Sequence, residues 1–210
     1  MQTILITGAG TGLGKELALS YAKKGHTIIL TGRRLEPLEA VKEQIQSMGA
    51  KAFAYQMDIS DVEDVKKAVS KITSEHTVHY LLNNAGAGCF GPLTELGFDE
   101  IETAIQTNVL GTIFLTKELL PHLLKREDAK IMNIISTAGQ KGKVNESVYV
   151  ASKFAVRGFT ESLQKELEGK VDVIATYMGG MDTPFWDETD HIKDKSRLKS
   201  PREVAEMIVA

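Results

Sequence analysis

The sequence predicts an α/β fold, a doubly wound Rossmann-type parallel sheet with helices on both faces. Short apolar runs alternate along the chain with helix-length segments, which is typical of repeated βαβ units. The apolar runs are nearly uninterrupted by polar residues, as expected of strands that are covered on both faces. These two observations favour one parallel sheet over a helical bundle or an all-β sandwich.

Six strands and five helices are expected in the first 178 residues. The predicted strands span residues 3–7, 27–31, 51–56, 80–82, 130–135 and 171–177. The predicted helices span residues 13–24, 35–48, 62–74, 98–125 and 147–168. Gly25 and Gly49 would end the first two helices, and Asp61 is a candidate N-cap of the third.

The last part of the chain differs from the rest in composition and periodicity. Residues 179–200 are rich in Gly, Asp and Lys without a clear period, and we expect them to form a mobile lid over a site. Pro201 then begins another helix with Ser200 as its N-cap. No linker, charge block or repeat divides the sequence, so residues 1–210 are expected to form a single domain.

Composition narrows the class of protein. With 42% hydrophobic and 25% charged residues the chain can build a core, and 25 basic against 28 acidic residues argue against a nucleic-acid partner. Cys89 is the single cysteine, so an internal disulfide and a multi-cysteine metal site are excluded. The most apolar long window, 108–124, contains Lys117 and Glu118 and therefore falls short of a membrane-spanning helix. We expect a soluble cytoplasmic protein without a metal site or a membrane partner.

A glycine-rich stretch, Thr7-Gly8-Ala9-Gly10-Thr11-Gly12-Leu13-Gly14, joins the first strand to the first helix. Glycines let the backbone approach a ligand, and a helix N-terminus attracts phosphate. The stretch therefore predicts a site for a nucleotide pyrophosphate. Leu13 stands where a G-x-G-x-x-G motif needs its third glycine, and the spacing of a P-loop is not met either. A plain strand-to-helix turn remains the alternative.

The end of the second strand bears on the choice of nucleotide. A site for NAD would present an acidic residue there to the ribose 2′-hydroxyl, but the residues are Thr31-Gly32-Arg33-Arg34. A guanidinium can hold a 2′-phosphate by charge-assisted hydrogen bonds. We expect NADP(H) to be preferred, with NAD(H) still possible. The alternative is that both arginines are simply solvated.

Tyr149 and Lys153 are four residues apart, which places the phenol and the ammonium on one face of the fifth predicted helix. A nearby cation favours the phenolate and lowers the pKa of a tyrosine, which makes the pair a candidate for proton transfer. Packing and solvation are the alternative reading of such a pair.

Together these residues resemble the classical short-chain dehydrogenase/reductase family. The matching positions are the T-G-x-x-x-G-x-G turn from Thr7 to Gly14, Asp58 after the third strand, Asn83-Asn84-Ala85-Gly86 after the fourth, Asn108, Ser136 after the fifth strand, and the Y-x-x-x-K motif of Tyr149 and Lys153. Their common order over nearly the whole chain carries the resemblance.

The resemblance implies an oxidoreductase that transfers a hydride between NADP(H) and a small or medium carbonyl/alcohol substrate. Tyr149 would donate or accept the proton, and Ser136 would bind the substrate oxygen. Lys153 would lower the pKa of Tyr149 and hold the nicotinamide ribose, and Asn108 would organise a water on the proton path. A non-catalytic NADP-binding sensor or scaffold is the alternative function.

The resemblance also implies a set of cofactor-binding residues. They are Gly8, Thr11, Gly12, Leu13 and Gly14 at the pyrophosphate, Arg33 and Arg34 at the 2′-phosphate, Asp58 and Ile59 at the adenine, Asn84, Ala85 and Gly86 at the ribose, Tyr149 and Lys153, and Gly179, Met181 and Thr183 at the nicotinamide. Plain turn and cap roles compete for Asn84, Gly86 and Asp58.

Three further expectations concern the substrate pocket and the assembly. Candidates for the pocket wall are Phe90, Gln140, Val144, Phe185 and Trp186, for whose apolar members a core role is the alternative. Met178 stands where the family carries proline, which should loosen the following turn. Family members pair through helices that correspond to residues 108–125 and 147–168, so a homodimer or homotetramer is expected.

Members of the family continue to a seventh strand and a C-terminal tail. This sequence ends before both. We expect either that it is part of a longer chain or that the domain lacks one edge strand, which would leave a neighbouring strand exposed.

Overall fold

The computed structural model describes residues 1–187, 189, 191–192 and 194–210. Its strands are β1 Thr3–Thr7, β2 Thr27–Gly32, β3 Ala52–Gln56, β4 Tyr80–Asn83, β5 Lys130–Ser136 and β6 Asp172–Met178. Its α-helices are α1 Gly12–Lys23, α2 Leu35–Ser47, α3 Val62–Glu75, α4 Phe98–Ile105, α5 Thr112–Leu123, α6 Ser147–Glu166 and α7 Pro201–Val209. Short 3₁₀ turns lie at Thr137–Gly139, Pro184–Trp186 and Lys195–Arg197.

All six strands form one parallel sheet in the order β3-β2-β1-β4-β5-β6. The predicted Rossmann-type fold is therefore confirmed. The chain direction across the sheet reverses between β1 and β4, and in open parallel sheets ligands bind at the carboxyl ends of the strands beside such a point. This position sets where the glycine-rich turn and the residues after β4 meet.

Both faces of the sheet are covered, and β1 shows why its sequence is apolar throughout. Ile4 and Ile6 pack into a core with α1, α2 and α7, whereas Leu5 packs into a second core with α3, α5 and α6. Successive strand residues point to opposite faces. A strand between two helical layers therefore needs apolar residues at every position.

The helix predicted over residues 98–125 is not continuous, which corrects that prediction. A π-helical segment, Gln106–Gly111, separates α4 from α5. Gly111 lies so close to Ile59 that an added Cβ would be 2.8 Å from the Ile59 carbonyl oxygen. The hydroxyl of Thr112 donates to the carbonyl of Asn108 at 2.9 Å, so a side chain supplies one bond of this widened turn.

The residues predicted to cap the helices can be compared with the caps in the structure. The side chain of Asp61 accepts hydrogen bonds from the backbone N–H groups of Glu63 at 2.8 Å and Asp64 at 3.2 Å, as an N-cap should. Ser200 precedes α7 as predicted, but its side chain makes no capping hydrogen bond. Gly25 and Gly49 follow the first two helices with positive φ angles of 84° and 81°.

Residues 179–200 were predicted to form a lid without secondary structure. Where the structure describes this segment it contains the two 3₁₀ turns and a β-bridge between Met181 and Lys199, reinforced by a 3.0 Å hydrogen bond from the Asp182 N–H to the Lys199 carbonyl. Part of the predicted lid, Glu188, Asp190 and Lys193, lies outside the described residues. Mobility of the segment stays a prediction.

Two further features concern the described residues only. No helix among them is both long and apolar enough to cross a membrane. Within the same residues no group of three or more His, Cys, Asp or Glu side chains is placed to hold a metal ion. The Cys89 thiol is buried and unpaired.

Candidate active site

The glycine-rich turn lies at the carboxyl end of β1 and bends sharply into α1. Gly8 and Gly12 have φ angles of 62° and 53°, in the left-handed region that favours glycine. Gly14 is packed so tightly that an added Cβ would overlap the Gly8 carbonyl oxygen and lie 2.6 Å from Nδ2 of Asn84. Each of these glycines is required by the backbone.

The N-terminus of α1 is open for an anion. Thr11 occupies the N-cap position without a side-chain capping bond, and the first turn of the helix carries no acidic residue. The first N–H groups of a helix lack partners within the helix, and the positive end of its dipole attracts phosphate. Because Leu13 points into the core, only its backbone faces the turn. The turn therefore fits a pyrophosphate group.

Asn84 and Ala85, which follow β4, are tied to the end of β1. The Thr7 hydroxyl accepts hydrogen bonds from the backbone N–H groups of both residues at 3.0 Å. The Asn84 side chain in turn donates to the Thr7 carbonyl at 2.9 Å. Asn84 thus has the structural role weighed for it in the sequence, because its amide holds two loops together, while Ala85 and Gly86 lie at the same edge.

The two arginines after β2 are exposed. Neither guanidinium forms an ion pair with any residue that the structure describes, and Gln56 donates to the Arg33 carbonyl at 2.9 Å. A guanidinium that is not paired with a carboxylate remains available to an anionic ligand. Their placement is compatible with a 2′-phosphate.

Asp58 and Ile59 follow β3 and differ in burial. One carboxylate oxygen of Asp58 accepts hydrogen bonds from the N–H of Ser60 at 2.9 Å and from its hydroxyl at 2.6 Å, so the side chain closes a local turn. Ile59 is buried against Gly111. Its side chain is a core residue, as is common for an isoleucine at a strand end.

Tyr149 and Lys153 lie on one face of α6, and both are buried. Nζ of Lys153 is 5.7 Å from the centroid of the tyrosine ring and donates to the Ile134 carbonyl at 3.3 Å. Ser136, at the end of β5, lies close enough to the Tyr149 phenol to lower its pKa. The structure thus brings Tyr149, Lys153 and Ser136 together, the first and last of which the resemblance implies at a substrate oxygen and the second at the nicotinamide ribose.

Burial dominates the proton affinities of this pair. It raises the pKa of the Tyr149 phenol well above its usual value, an effect that the nearby Ser136 hydroxyl opposes and the Glu146 carboxylate reinforces. Burial lowers the pKa of Lys153 to about 8. The lowering of the Tyr149 pKa by Lys153 stays a prediction, while burial raises the pKa of the phenol.

Asn108 lies in the π-helical segment, and its side chain forms hydrogen bonds with the loop after β4. Its Oδ1 accepts from the Ala87 N–H at 2.7 Å, and its Nδ2 donates to the Ala87 carbonyl at 2.9 Å and to the Ser152 hydroxyl at 3.0 Å. A Cβ added to Gly86 would lie 3.2 Å from Oδ1 of Asn108 and 3.7 Å from Nζ of Lys153. Asn108 therefore fixes the loop that runs past the lysine.

An aromatic cluster covers Tyr149. It consists of Phe90, Tyr149, Phe185, Trp186 and His191, with Phe90 at its centre, 5.1 Å from Tyr149 and 5.1 Å from Trp186 between ring centroids. Three of the five predicted wall residues therefore belong to this cluster: Phe90 and Phe185 contact the Tyr149 ring, and Trp186 contacts both of them. The other two, Gln140 and Val144, are exposed, and 85% of the Val144 side chain is accessible.

The residues after β6 approach the glycine-rich turn from the other side. Thr183 lies against Gly12, where an added Cβ would be 3.2 Å from the threonine Cβ. The Met181 carbonyl accepts from the Trp186 indole at 2.9 Å, and Gly179 is exposed. Met178, in the position of the family's proline, packs against the core beside α1.

Sequence reasoning did not single out Glu146 or His191, which meet at this site. Nε2 of His191 lies 3.1 Å from Oε1 of Glu146 although the two residues are 45 positions apart. No periodicity links an aperiodic segment to the start of a helix, so no signal in the sequence could have paired them. Ser152, which bonds to Asn108 and to the Tyr149 carbonyl at 2.7 Å, was also missed.

Comparison with known proteins places this geometry in a family. A family model described as short chain dehydrogenase matches residues 2–194. The chain belongs to the short-chain dehydrogenase family. A fatty acyl-CoA reductase of Acinetobacter baylyi is a relative of this family member, 34% identical over 98% of this chain and 70% of its own length. A sepiapterin reductase of Chlorobaculum tepidum is 30% identical over 98% of this chain and 88% of its own length.

Solved structures of dehydrogenases with the same fold superpose closely on this family member. An alcohol dehydrogenase of Thermococcus sibiricus, complexed with 5-hydroxy-NADP, has a TM-score of 0.92 at 27% identity, covering 100% of this chain and 89% of that one. A variant of actinorhodin polyketide ketoreductase with NADPH has a TM-score of 0.89 at 28% identity, covering 99% and 88%. The Rossmann-type sheet and its helices are thus shared with dinucleotide-bound proteins.

Proposed function

We propose that this chain is an NADP(H)-dependent oxidoreductase that interconverts a small or medium carbonyl compound and its alcohol. The observation that carries the proposal is the grouping of Tyr149, Ser136 and Lys153 beneath an aromatic cluster at the carboxyl edge of the sheet. The uncapped start of α1 lies at the same edge. A proton donor and an anion-binding helix end are thereby combined in one site.

The preference for NADP(H) over NAD(H) rests on two lines of support. Arg33 and Arg34 offer exposed guanidinium groups at the end of β2, where the stretch Thr31-Gly32-Arg33-Arg34 contains no acidic residue. Structural relatives were crystallised with NADPH or 5-hydroxy-NADP. An arginine fork attracts a 2′-phosphate, whereas an acidic residue would repel it. NAD(H) would bind more weakly because it lacks this phosphate.

The protein's own part in the reaction is to orient the substrate and manage one proton. A bound nicotinamide supplies or accepts the hydride. The Ser136 hydroxyl would donate a hydrogen bond to the substrate oxygen, where negative charge develops during reduction. Tyr149, which is protonated at neutral pH, would then give its proton to that oxygen. In alcohol oxidation the same phenol oxygen would accept the proton.

Lys153 and Asn108 would support this proton transfer from behind the tyrosine. The Lys153 ammonium lies beside the Tyr149 ring and next to Gly86, where the resemblance places the nicotinamide ribose. Its positive charge would stabilise the phenolate that forms when Tyr149 has given up its proton. Asn108 would hold the backbone around Ala87 in place and line the path of protons to the lysine.

We further propose a homodimer or homotetramer in the cytoplasm, with the described part of residues 179–200 acting as a lid. Apolar side chains on the helices that would pair are partly exposed, among them Phe154 on α6 and Leu124 at the end of α5. Burying them against a second copy would remove apolar surface from water.

The function is tested by following NADPH oxidation with a panel of aldehydes, ketones and diketones. Turnover by the wild-type chain and a loss of about 10²–10⁴-fold in kcat for Tyr149→Phe are expected, the range that a general acid contributes. Tyr55→Phe is the control, because it removes a phenol hydroxyl on β3, far from α6. Unchanged turnover in Tyr149→Phe would refute the role of Tyr149. Tight NADPH binding without turnover of any compound would favour a cofactor-binding sensor instead.

A further inference from the structure

The segment that covers Tyr149 is anchored at its base. We define the cover segment as residues 181–187 together with Thr189 and His191. The Met181–Lys199 bridge closes its base, and the Met181 carbonyl also accepts the indole N–H of Trp186 at 2.9 Å. These contacts hold the start of the segment near β6. They do not by themselves fix its far end over the catalytic helix.

The far end is held by a second contact, between His191 and Glu146. Nε2 of His191 lies 3.1 Å from Oε1 of Glu146, which immediately precedes α6 and is only 7% exposed. The His191 N–H also donates to the Thr189 hydroxyl at 3.1 Å, which orients the residue. Glu146 is three residues before Tyr149, so this contact fastens the cover segment to the first turn of the helix that carries the phenol.

The same histidine packs against the centre of the aromatic cluster. Its ring is nearly parallel to that of Phe90, with 10° between the planes and 4.7 Å between the centroids. Phe90 in turn contacts Trp186 and Tyr149, each at 5.1 Å. The position of the His191 ring therefore influences where Phe90 and Trp186 lie relative to the phenol.

We propose that the hydrogen bond between His191 and Glu146 positions the cover segment over Tyr149 and so shapes the substrate pocket. This inference rests on the proposed function, because it assigns His191 and Glu146 as positioning residues for substrates that reach Tyr149. Neither residue transfers the proton. Their bond holds Phe90 and Trp186 close enough to the phenol to form an apolar wall from which water is excluded.

Trp186 makes the proposal measurable without any substrate. It is the single tryptophan of the chain, so the intrinsic fluorescence excited at tryptophan wavelengths reports on the cover segment alone. The residue is 9% exposed in the closed arrangement. Release of the far end should expose the indole, and acrylamide should then quench its emission more strongly.

Two substitutions separate the hydrogen bond from the stacking. His191→Phe keeps a ring against Phe90 but removes the donor, whereas His191→Gln keeps an N–H donor and removes the ring. We expect stronger quenching in His191→Phe and quenching close to the wild type in His191→Gln. Glu146→Ala should match His191→Phe, and the double variant should add nothing to either single change. Arg197→Ala, which breaks an exposed ion pair with Asp194, is the control.

Kinetics then link the contact to the pocket. In His191→Phe, KM for the carbonyl substrate should rise roughly tenfold while kcat stays nearly unchanged, because a positioning contact is lost and the proton donor is not. Quenching in His191→Phe equal to that of the wild type would overturn the proposal, as would an unchanged KM. If the wild type turns over no compound, the proposed function fails, whereas the quenching comparison still decides whether the contact holds the cover segment closed.

Discussion

The Lys153 ammonium lies 5.7 Å from the centroid of the Tyr149 ring, and both side chains are buried. Burial disfavours the charged form of each group, so it raises the pKa of the phenol and lowers that of the ammonium to about 8. At neutral pH the tyrosine is therefore protonated and the lysine is still charged. Both groups hold a proton, which is the arrangement that carbonyl reduction requires.

The buried ammonium should make Lys153 costly for stability. Its pKa is about 8 in the folded chain and about 10.4 when unfolded, so below pH 8 the charged lysine opposes folding by roughly 2–4 kcal/mol. We expect Lys153→Met to raise the free energy of unfolding at pH 7. The gain should shrink between pH 8 and pH 10, because the folded chain no longer carries the charge there. Urea unfolding at pH 7 and pH 9.5 measures the difference.

A matched substitution distinguishes this effect from a general benefit of methionine. Lys67 is exposed in the middle of α3, and Lys67→Met should change the free energy of unfolding by no more than about 0.5 kcal/mol at either pH. If Lys153→Met is less stable than the wild type at pH 7, the hydrogen bond from Lys153 to the Ile134 carbonyl outweighs the burial of the charge.

Arg33 should determine the choice between the two dinucleotides. Its guanidinium is free to form charge-assisted hydrogen bonds with a 2′-phosphate, and such bonds contribute about 1.5–3 kcal/mol. Arg33→Ala is therefore expected to lower the ratio of NADPH to NADH affinity by roughly tenfold to a hundredfold. Fluorescence titration with each dinucleotide gives the ratio. Arg126→Ala, at an exposed position beyond α5, should leave it unchanged, and an unchanged ratio in Arg33→Ala would refute the phosphate contact.

Asn108 should matter for folding as much as for activity. Its amide donates to the Ala87 carbonyl and to Ser152 while its oxygen accepts from the Ala87 N–H, so both ends of the amide are required. In Asn108→Asp a carboxylate would face the Ala87 carbonyl without a proton to donate. We expect a loss of about 3 kcal/mol in the free energy of unfolding, together with reduced turnover.

The same change in an exposed loop is the control for Asn108. Asn145 has a φ of 60°, a conformation that aspartate also tolerates, and its side chain is exposed. Asn145→Asp should therefore unfold at nearly the wild-type temperature. Equal thermal unfolding of the two variants would mean that the amide at position 108 contributes little.

The sequence was sufficient for the sheet because strands between two helical layers need apolar residues at every position. Strands β1, β2 and β6 accordingly lie within a residue of their predicted bounds. The glycine-rich turn could also be predicted from the sequence, since its backbone conformation requires glycine at positions 8 and 12. These features are encoded locally, in residues adjacent along the chain.

Features that depend on tertiary contacts could not be predicted from the sequence. The π-helical segment makes two tertiary contacts, Gly111 with Ile59 and Asn108 with Ala87, and neither contact changes the helical periodicity. The direction of the Tyr149 pKa shift follows from burial, whereas the spacing to Lys153 indicated only the cation. The approach of His191 to Glu146 required the fold itself.

Two helical glycines, Gly14 and Gly158, differ in how closely other atoms surround them. An added Cβ at Gly14 would overlap the Gly8 carbonyl and crowd Asn84, whereas at Gly158 in α6 it would meet nothing within 4 Å. Gly158→Ala should therefore stabilise the chain by about 0.5–1 kcal/mol, because alanine favours a helix over glycine. Gly14→Ala should destabilise it by roughly 1–3 kcal/mol, the range for overpacking.

Cofactor binding separates the two variants further. Gly14→Ala forces the Gly8 carbonyl or the Asn84 amide to move. The carbonyl belongs to the turn that would hold the pyrophosphate, and the amide is bonded to the Thr7 carbonyl at the start of that turn. NADPH titration should therefore show a large loss of affinity in Gly14→Ala and none in Gly158→Ala, with thermal unfolding measured on the same samples. If Gly14→Ala binds NADPH as the wild type does, the dinucleotide does not depend on the close packing of this turn against Gly8 and Asn84.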